Sequence, residues 1–330
     1  MNLTKSLLLR VLRMLEKCFL AVDCGGTKIS SAILNSAGSI LFKQSNKLNG
    51  AGGKAVLNLI IAQINSLIKE SNKINLSPLS CGLCIPGISY HNSGKVWAPN
   101  IPGWEEFPLK DELNKALKNQ IKISIDSDRA CAILAETWQG KAQKSKNAIF
   151  VAVGTGIGAG ILVDGKILRG HGDIAGATGW MALDRPYDNK YNACGNFEYY
   201  ASGNGIARTA KELLARTIDY EGELNNIESL RSEDVFTAYD HNDPIAIKTF
   251  NICIELWGMA LANYVSLFNP EIVIFGGGVF GPAKRFLQDI VNEAKKWAQP
   301  LSMMQVRVDV TDLTENAILI GAGKLAMINA

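Results

Sequence analysis

Several things are scarce in this chain of 330 residues, and each scarcity narrows what it can be. The net charge is only +3, with lysines and acids interspersed and no long block of one sign. So small a balance gives no footing for a nucleic-acid partner or an anionic membrane. No apolar stretch of about 18 residues is evident, so no membrane span is expected. The run Leu7-Leu8-Leu9-Arg10-Val11-Leu12-Arg13-Met14-Leu15 is broken by Arg10 and Arg13, and no small-residue cleavage site follows it. Residues 1–17 read instead as a short basic amphipathic helix, an extension lying loosely on the body rather than an anchor. The seven cysteines are odd in number and scattered, which argues against a disulfide framework and for a reducing, cytoplasmic setting. Cys81-Gly82-Leu83-Cys84 has no second pair spaced to complete a zinc site, and its alternation reads as a buried strand. Of the three histidines, His91 and His241 fall in polar loops and are expected to be solvated; His171 is read as a surface or loop residue.

What is present is the balance of a globular α/β protein, with 47% hydrophobic and 20% charged residues in a chain long enough for two lobes. From Phe19 the pattern is strand (19–23), glycine turn (24–28), strand (29–34) and a third strand (40–44). A helix over 56–71 follows from the apolar spacing of Leu57, Ile60, Ile61, Ile64, Leu67 and Ile68. Then come a strand at 80–85 ending in Pro86-Gly87, a helix over 109–118, a strand at 121–126 and a helix over 128–140. The pattern starts again at 148: strand 148–153, glycine turn 154–160, strand 161–163, an Asp164-Gly165 turn and a strand at 166–169. Helices over 204–214, 244–249 and 250–268, a strand at 271–275, a helix over 282–297, a strand at 306–310 and a helix over 316–328 complete the chain. Two copies of one α/β unit, each with glycines at a hairpin tip, are the organising feature.

Those tips suggest phosphate. Glycine lets backbone N–H groups approach and converge on an anion. Asp23 ends its strand just before Gly25, Gly26, Thr27 and Lys28, where a carboxylate is better suited to a hydrated Mg2+ than to phosphate itself. Gly154-Thr155-Gly156-Ile157-Gly158-Ala159-Gly160 is followed by a strand, so it is no dinucleotide fingerprint, and no Gly-Lys-Ser/Thr closes it as a Walker loop. Gly276-Gly277-Gly278 follows a strand and is expected to open a helix, a platform for a phosphate or nucleoside.

Asp23 to Lys28, Asp126-Ser127-Asp128-Arg129-Ala130, the glycines of 154–160 with Gly165-Lys166 and Arg169-Gly170, and Ile274-Phe275-Gly276-Gly277-Gly278 together resemble the ROK family (repressor, open reading frame, kinase). The resemblance runs from about Phe19 to the C-terminus. It implies the actin-like, ribonuclease-H-like fold: two α/β lobes around a central ATP and sugar cleft. The lobes would be 18–138, completed by a helix at about 314–330, and 139–313, after the extension 1–17. The family's repressors carry a winged-helix DNA-binding domain, for which 17 residues are too few, so a kinase-type member is expected. By resemblance Asp128 is the base that accepts the proton of the attacking sugar hydroxyl, and Asn100, Ser127, Glu198 and Gly87 line the sugar. Asp126 would share the face of Asp128 or else cap the following helix. ATP with Mg2+ would be held by Asp23, Gly25, Gly26, Thr27, Lys28, Gly154, Thr155, Gly156, Gly158, Gly276, Gly277 and Gly278. A homodimer is implied too.

The chain departs from the family in three places. Where the family has Glu-x-Gly-His, this sequence has Ala177-Thr178-Gly179-Trp180, losing a sugar-contacting glutamate and a zinc-binding histidine. The cysteine cluster is reduced to Cys194, so no structural zinc is expected, and Trp180 with Phe197 would fill the space by apolar packing. An alternative is that Trp180 stacks on a sugar face. Ser127 stands where the family has asparagine. The expected activity is ATP-dependent phosphorylation of a glucose-type hexose at its 6-hydroxyl. The alternatives are an N-acetylhexosamine kinase and a low-turnover protein that senses sugar or nucleotide.

Overall fold

The computed structural model describes residues 16–313 and 315–330. The helix expected over residues 1–17 lies outside these, except that Glu16 and Lys17 open the first strand. The described chain divides into two units: one takes the residues up to Gln139 and from Leu313 onward, the other is Gly140–Asp312.

In the first unit β1 (Glu16–Cys24) is buried at every position from Cys18 to Val22, so both its faces need cover. Strand β2 (Lys28–Leu34) pairs antiparallel with it, and β3 (Ile40–Lys47) antiparallel with β2. Helix α1 (Gly53–Lys73) leads to β4 (Leu76–Ile85), parallel to β1. This strand starts earlier than its apolar run implies, because Pro78 is accommodated beside a register shift opposite Cys18 and Leu20. Strands β5 (Ile88–Ser89) and β6 (Val96–Trp97) form a separate small hairpin. Helix α2 (Leu109–Ala116), strand β7 (Lys122–Ser127) and helix α3 (Asp128–Gln139) follow, giving the sheet order β3-β2-β1-β4-β7. Cys81, Leu83 and Ile85 of β4 share a core with Ile60, Ile64 and Leu67 of α1. Gly82, between them, faces the other way, so close to the C-terminal helix Ala317–Ile328 that an added Cβ would lie 1.9 Å from the Ala322 carbonyl oxygen. One helix layer thus covers each face of the sheet.

The second unit repeats the plan. Strands β8 (Ala148–Val153), β9 (Ile157–Val163) and β10 (Lys166–Ile167) form the antiparallel side. The turn at Asp164 and Gly165 takes φ of 49° and 75°, as a two-residue hairpin turn requires. Helices α4 (Asn196–Ala201), α5 (Gly203–Arg216), α6 (Ser232–Asp240) and α7 (Pro244–Phe268) precede β11 (Ile272–Gly276). Helices α8 (Leu287–Trp297) and α9 (Pro300–Gln305) precede β12 (Arg307–Val310), for an order β10-β9-β8-β11-β12.

Three expectations about where elements begin and end need correction here, and the second carries with it a fourth, on membrane-spanning length. The glycine turn is confined to residues 154–156, because β9 already begins at Ile157; Gly158 is a strand residue opposite Ala152. The helices expected over 244–249 and 250–268 are one: Asp243 caps it through the Ile245 and Ala246 amides, at 2.8 and 3.0 Å, and nothing interrupts it before Asn269 turns left-handed. That single helix is long and apolar enough to cross a membrane by length and composition, contrary to the expectation that no such stretch exists; 61% of its apolar window is buried inside the unit, as in a core helix. Third, Gly278 opens a 3-10 turn, Gly278–Phe280, and α8 proper starts only at Leu287.

Candidate functional site

In the first unit, the chemistry gathers at the ends of β1, β4 and β7. The turn between β1 and β2 is closed by the Gly25 amide on the Lys28 carbonyl at 3.0 Å, and braced by the Leu48 amide on the Thr27 carbonyl at 2.8 Å. Gly26, Thr27 and Lys28 are exposed, while Asp23 is half-buried. The Asp23 carboxyl is pushed up to about 6, chiefly by burial and then by the negative charge of Asp128; Lys28 and a hydrogen bond with the Cys84 thiol oppose this. Asp128 opens α3. It reaches solvent, yet protein rings it at longer range, and that loss of bulk water raises its pKa despite the Arg129 charge and the Arg129 amide, which donates to Oδ1 at 2.8 Å.

Helix α3 is capped by Ser127, whose Oγ accepts from the Ala130 amide at 3.2 Å, so Ser127 has a structural duty here. Asp126, for which that capping role was one expectation, is buried and takes the Ser127 amide on Oδ1 at 2.8 Å. Nor is His91 simply solvated: its Nδ1 lies 3.0 Å from the Ser89 carbonyl and its Nε2 3.9 Å from Asp126 Oδ2. Asn100 sits exposed on a loop tied down by buried Trp104, whose indole N–H donates to the Gly53 carbonyl at 3.1 Å. The loop brings Asn100 against the glycine turn, since a Cβ on Gly26 would be 3.6 Å from that of Asn100. Gly87, at φ +134°, lets the chain pass where a side chain would strike the Trp97 carbonyl.

In the second unit the Gly154 amide donates to the Gly156 carbonyl at 2.9 Å and the Gly203 amide to the Gly154 carbonyl at 2.7 Å, so the N-terminus of α5 abuts the turn. Ser202 caps α5, its Oγ accepting from the Gly205 amide at 3.0 Å. Beside this lies a cavity of 760 Å³ lined by Gly154, Thr155, Asn204, Arg208, Lys211 and Gly278, among others. Gly154 and Gly278 leave open space where a side chain would stand. Gly277, at φ +90°, packs on the end of β8, where a Cβ would be 2.4 Å from the Val153 carbonyl oxygen. Gly156, Gly158, Gly276 and Gly277 shape this wall without lining the cavity. A glycine turn, a helix N-terminus and two cations around one cavity could hold an anion, and the volume is that of a nucleotide-sized ligand.

Glu198, expected at the sugar, is half-buried on α4 and accepts the Ile157 amide on Oε2 at 2.7 Å, clamping the glycine turn. Burial raises its pKa, against that amide and the Arg208 charge. Sequence reasoning missed Asn204, Arg208 and Lys211. Their spacing on one face of a single helix was the signal in the sequence, though it does not say what that face meets. The packing expected of Trp180 is also wrong: its side chain is 57% exposed, whereas Phe197 is fully buried. Among the described residues no group of three or more His, Cys, Asp or Glu is arranged to hold a metal. The Asp23 carboxylate, costly to ionise beside the charge of Asp128, is a fitting partner for Mg2+, which ordinarily takes one or two protein carboxylates with substrate phosphates.

The family profile described as ROK matches residues 19–328, and the chain belongs to the ROK family. It is 32% identical over 325 residues to a glucokinase of Halalkalibacterium halodurans, covering 94% of this chain and 96% of that one. It is 26% identical to a xylose repressor of Caldicellulosiruptor bescii, covering 92% of this chain and 76% of the repressor. Among solved structures it resembles a ROK family glucokinase from Streptomyces griseus in complex with glucose and AMPPNP, with a TM-score of 0.71 and 26% identity, over 94% of this chain and 99% of that one.

Proposed function

We propose that this member of the ROK family transfers the γ-phosphoryl group of ATP to a hydroxyl of a glucose-type hexose, the 6-hydroxyl being the expected acceptor. The observation that carries the reading is Asp128: an aspartate at the head of α3, its pKa raised, its Oδ1 steadied by the Arg129 amide. A carboxylate of raised pKa that still reaches solvent suits a general base. Asp128 takes the proton of the sugar hydroxyl, the freed oxygen attacks the γ-phosphorus, and ADP departs with the bridging oxygen. The phosphates rest on the amides of Thr155 and Gly278 and on the N-terminus of α5, with Arg208 and Lys211 for charge. Asp23 would hold Mg2+, which supplies neutralising charge on the phosphates. Asn100 and Glu198 bind sugar hydroxyls in this reading, Glu198 through the oxygen not given to Ile157. The glucokinase bound to glucose and AMPPNP supports both ligands.

A second reading has an observation in its favour. Ala177 and Ser127 replace two groups that recognise hydroxyls in the family, and a xylose repressor is among the relatives, so a sensor with little turnover is the competitor. The opened space beside Ala177 equally admits an N-acetylhexosamine. A coupled assay of ADP release over a panel of hexoses and N-acetylhexosamines, with Asp128→Asn as control, separates the three. Sugar-dependent ADP formation that Asp128→Asn abolishes is expected; ATP binding without turnover on any sugar would leave the sensor.

A further inference from the structure

The loop before α4 closes around a single ammonium. Lys190, in the 3-10 turn Asn189–Ala193, holds its Nζ 4.9 Å from the Tyr199 ring centre, 5.1 Å from that of Tyr200 and 5.6 Å from that of Tyr191. The same atom is 3.1 Å from Glu212 Oε2. The Tyr199 hydroxyl donates to Glu212 Oε1 at 2.7 Å, and the Tyr191 and Tyr200 hydroxyls are 2.9 Å apart. Burial pushes Tyr191 and Tyr199 up to about 12, so both phenols are neutral at pH 7 and the charges in the cluster are those of Lys190 and Glu212. Three tyrosine faces and a carboxylate around one cation make a far more constrained arrangement than a solvated lysine pair.

One arm of the cluster leads to the cavity. The Arg208 guanidinium lies 4.2 Å from the Tyr199 ring centre and donates to the Tyr199 carbonyl at 3.0 Å. Arg208 also lines the 760 Å³ cavity. Arginine is a flexible side chain unless a flat face and an acceptor fix it, and Tyr199 supplies both. Tyr199 is in turn fixed through its hydroxyl by Glu212, and Glu212 by Lys190. The contacts form a continuous path from a half-buried cation to a cavity wall.

We propose that Lys190 is a positioning residue for nucleotide: its ammonium, acting through Glu212 and Tyr199, holds Arg208 where it meets the phosphates of a nucleoside triphosphate in the cavity. The occupant rests on the kinase reading above, so the test reads binding rather than turnover. Titration calorimetry with Mg2+ and AMPPNP is run on the native chain, Lys190→Met, Lys190→Arg, Arg208→Met and the Lys190→Met/Arg208→Met double variant, each at a temperature where its circular dichroism is native. Lys190→Met is expected to weaken binding about tenfold, and the double variant to bind no more weakly than Arg208→Met alone, because the two act along one path. Lys190→Arg, which keeps a cation among the rings, should recover to within about threefold of native. In turnover, the KM for ATP should rise in Lys190→Met with kcat and the sugar KM nearly unchanged. Native affinity in Lys190→Met, or losses that simply add in the double variant, would overturn the proposal and leave the cluster a plain structural staple. Should Lys190→Met not fold, Tyr199→Phe carries the test: it keeps the ring but loses the link to Glu212, and unchanged affinity there counts equally against the proposal. A native chain that binds no nucleotide would instead sink the kinase reading itself, and this proposal with it.

Discussion

In the first unit the tip of the β1–β2 hairpin carries Asp23 near the end of β1 and Lys28 at the start of β2, whereas in the second the β8–β9 hairpin turns through Gly154, Thr155 and Gly156 without an ionisable side chain. The sheets beneath them have the same strand order and the same pattern of parallel and antiparallel neighbours. A repeated fold therefore does not repeat its chemistry. In the proposed reading, equivalent tips serve as a carboxylate site in one unit and an amide site in the other, and the second unit draws its charge from α5, through Arg208 and Lys211, which line its cavity. Burial lifts the carboxyls of Asp23 and Asp128, and so ties the proposed chemistry of the first unit to pH. Amides carry their partial charge whatever the pH.

The largest expected effect tests the acid half. Asp128→Asn should lower sugar-dependent ADP release about 10³-fold while the affinity for AMPPNP stays native, as measured by the coupled assay and by calorimetry. A loss below tenfold would mean that the carboxylate unit is not where the acceptor is activated. Next comes the amide half. Nothing stands within 4 Å of a Cβ on Gly278, so Gly278→Leu should fold normally yet intrude on the cavity. AMPPNP binding should weaken about 30-fold, near 2 kcal/mol, with sugar affinity untouched. Equal losses for both ligands would erase the distinction drawn between the units.

Much of this division was readable in the residue order, because hairpins and glycine breaks are local. Short strand-length runs at 19–23 and 29–34 on either side of a Gly-Gly break mark a hairpin whatever packs on it, and Asp128 stands just where a strand gives way to a helix. The cavity wall was not readable, since nothing local says that one face of α5 turns toward a glycine tip some fifty residues earlier. Trp180 failed for a related reason. A tryptophan in place of a ligating histidine invites a packing argument, but Phe197 alone is buried and the indole is left outside. The splitting of α7 was avoidable: Asp243-Pro244 is a good helix start, and no second cap occurs before Asn269.

A smaller and graded effect should come from pH. A base works deprotonated, so a raised pKa moves the acid limb of kcat/KM upward; activity should fall on acidification well before the ordinary aspartate range is reached, about tenfold per pH unit once below the limb. Stability runs the other way. A carboxyl whose folded pKa is raised favours the folded state while protonated, and that contribution is lost as pH climbs through the folded value, about 6 for Asp23. In metal-free buffer Asp23→Asn should thus melt higher than the native chain at pH 7.5, with the gain gone by pH 4. Thermal melts across that window check it. A gain that persists at pH 4 would mean that Asp23 is not costly by reason of its charge. The second unit's glycine turn, having nothing to titrate, predicts AMPPNP affinity that depends far less on pH than turnover does.

The smallest effect concerns how each unit treats buried polar groups away from its tip. In the first unit Gln63 is saturated: its Oε1 accepts from Ser31 Oγ and from Gln44 Nε2 at 2.7 Å, and its Nε2 donates to Asn46 at 2.6 Å. In the second, the hydroxyls of Tyr264 on α7 and of Thr178 are buried without a well-formed hydrogen bond, though Thr178 is near enough to oppose the upward push that burial gives the Tyr264 pKa. A hydroxyl in that position has lost its water and gained little in return. Removing it costs only the packing of one oxygen atom, and removes an unmet desolvation penalty. Tyr264→Phe should accordingly change the urea-unfolding free energy by less than about 1 kcal/mol, in either direction. A destabilisation above about 2 kcal/mol would mean that the Tyr264–Thr178 pair is a true hydrogen bond holding the 178–180 turn to the core helix. Tyr264 would then be as well met as Gln63, and the contrast between these two buried groups would vanish.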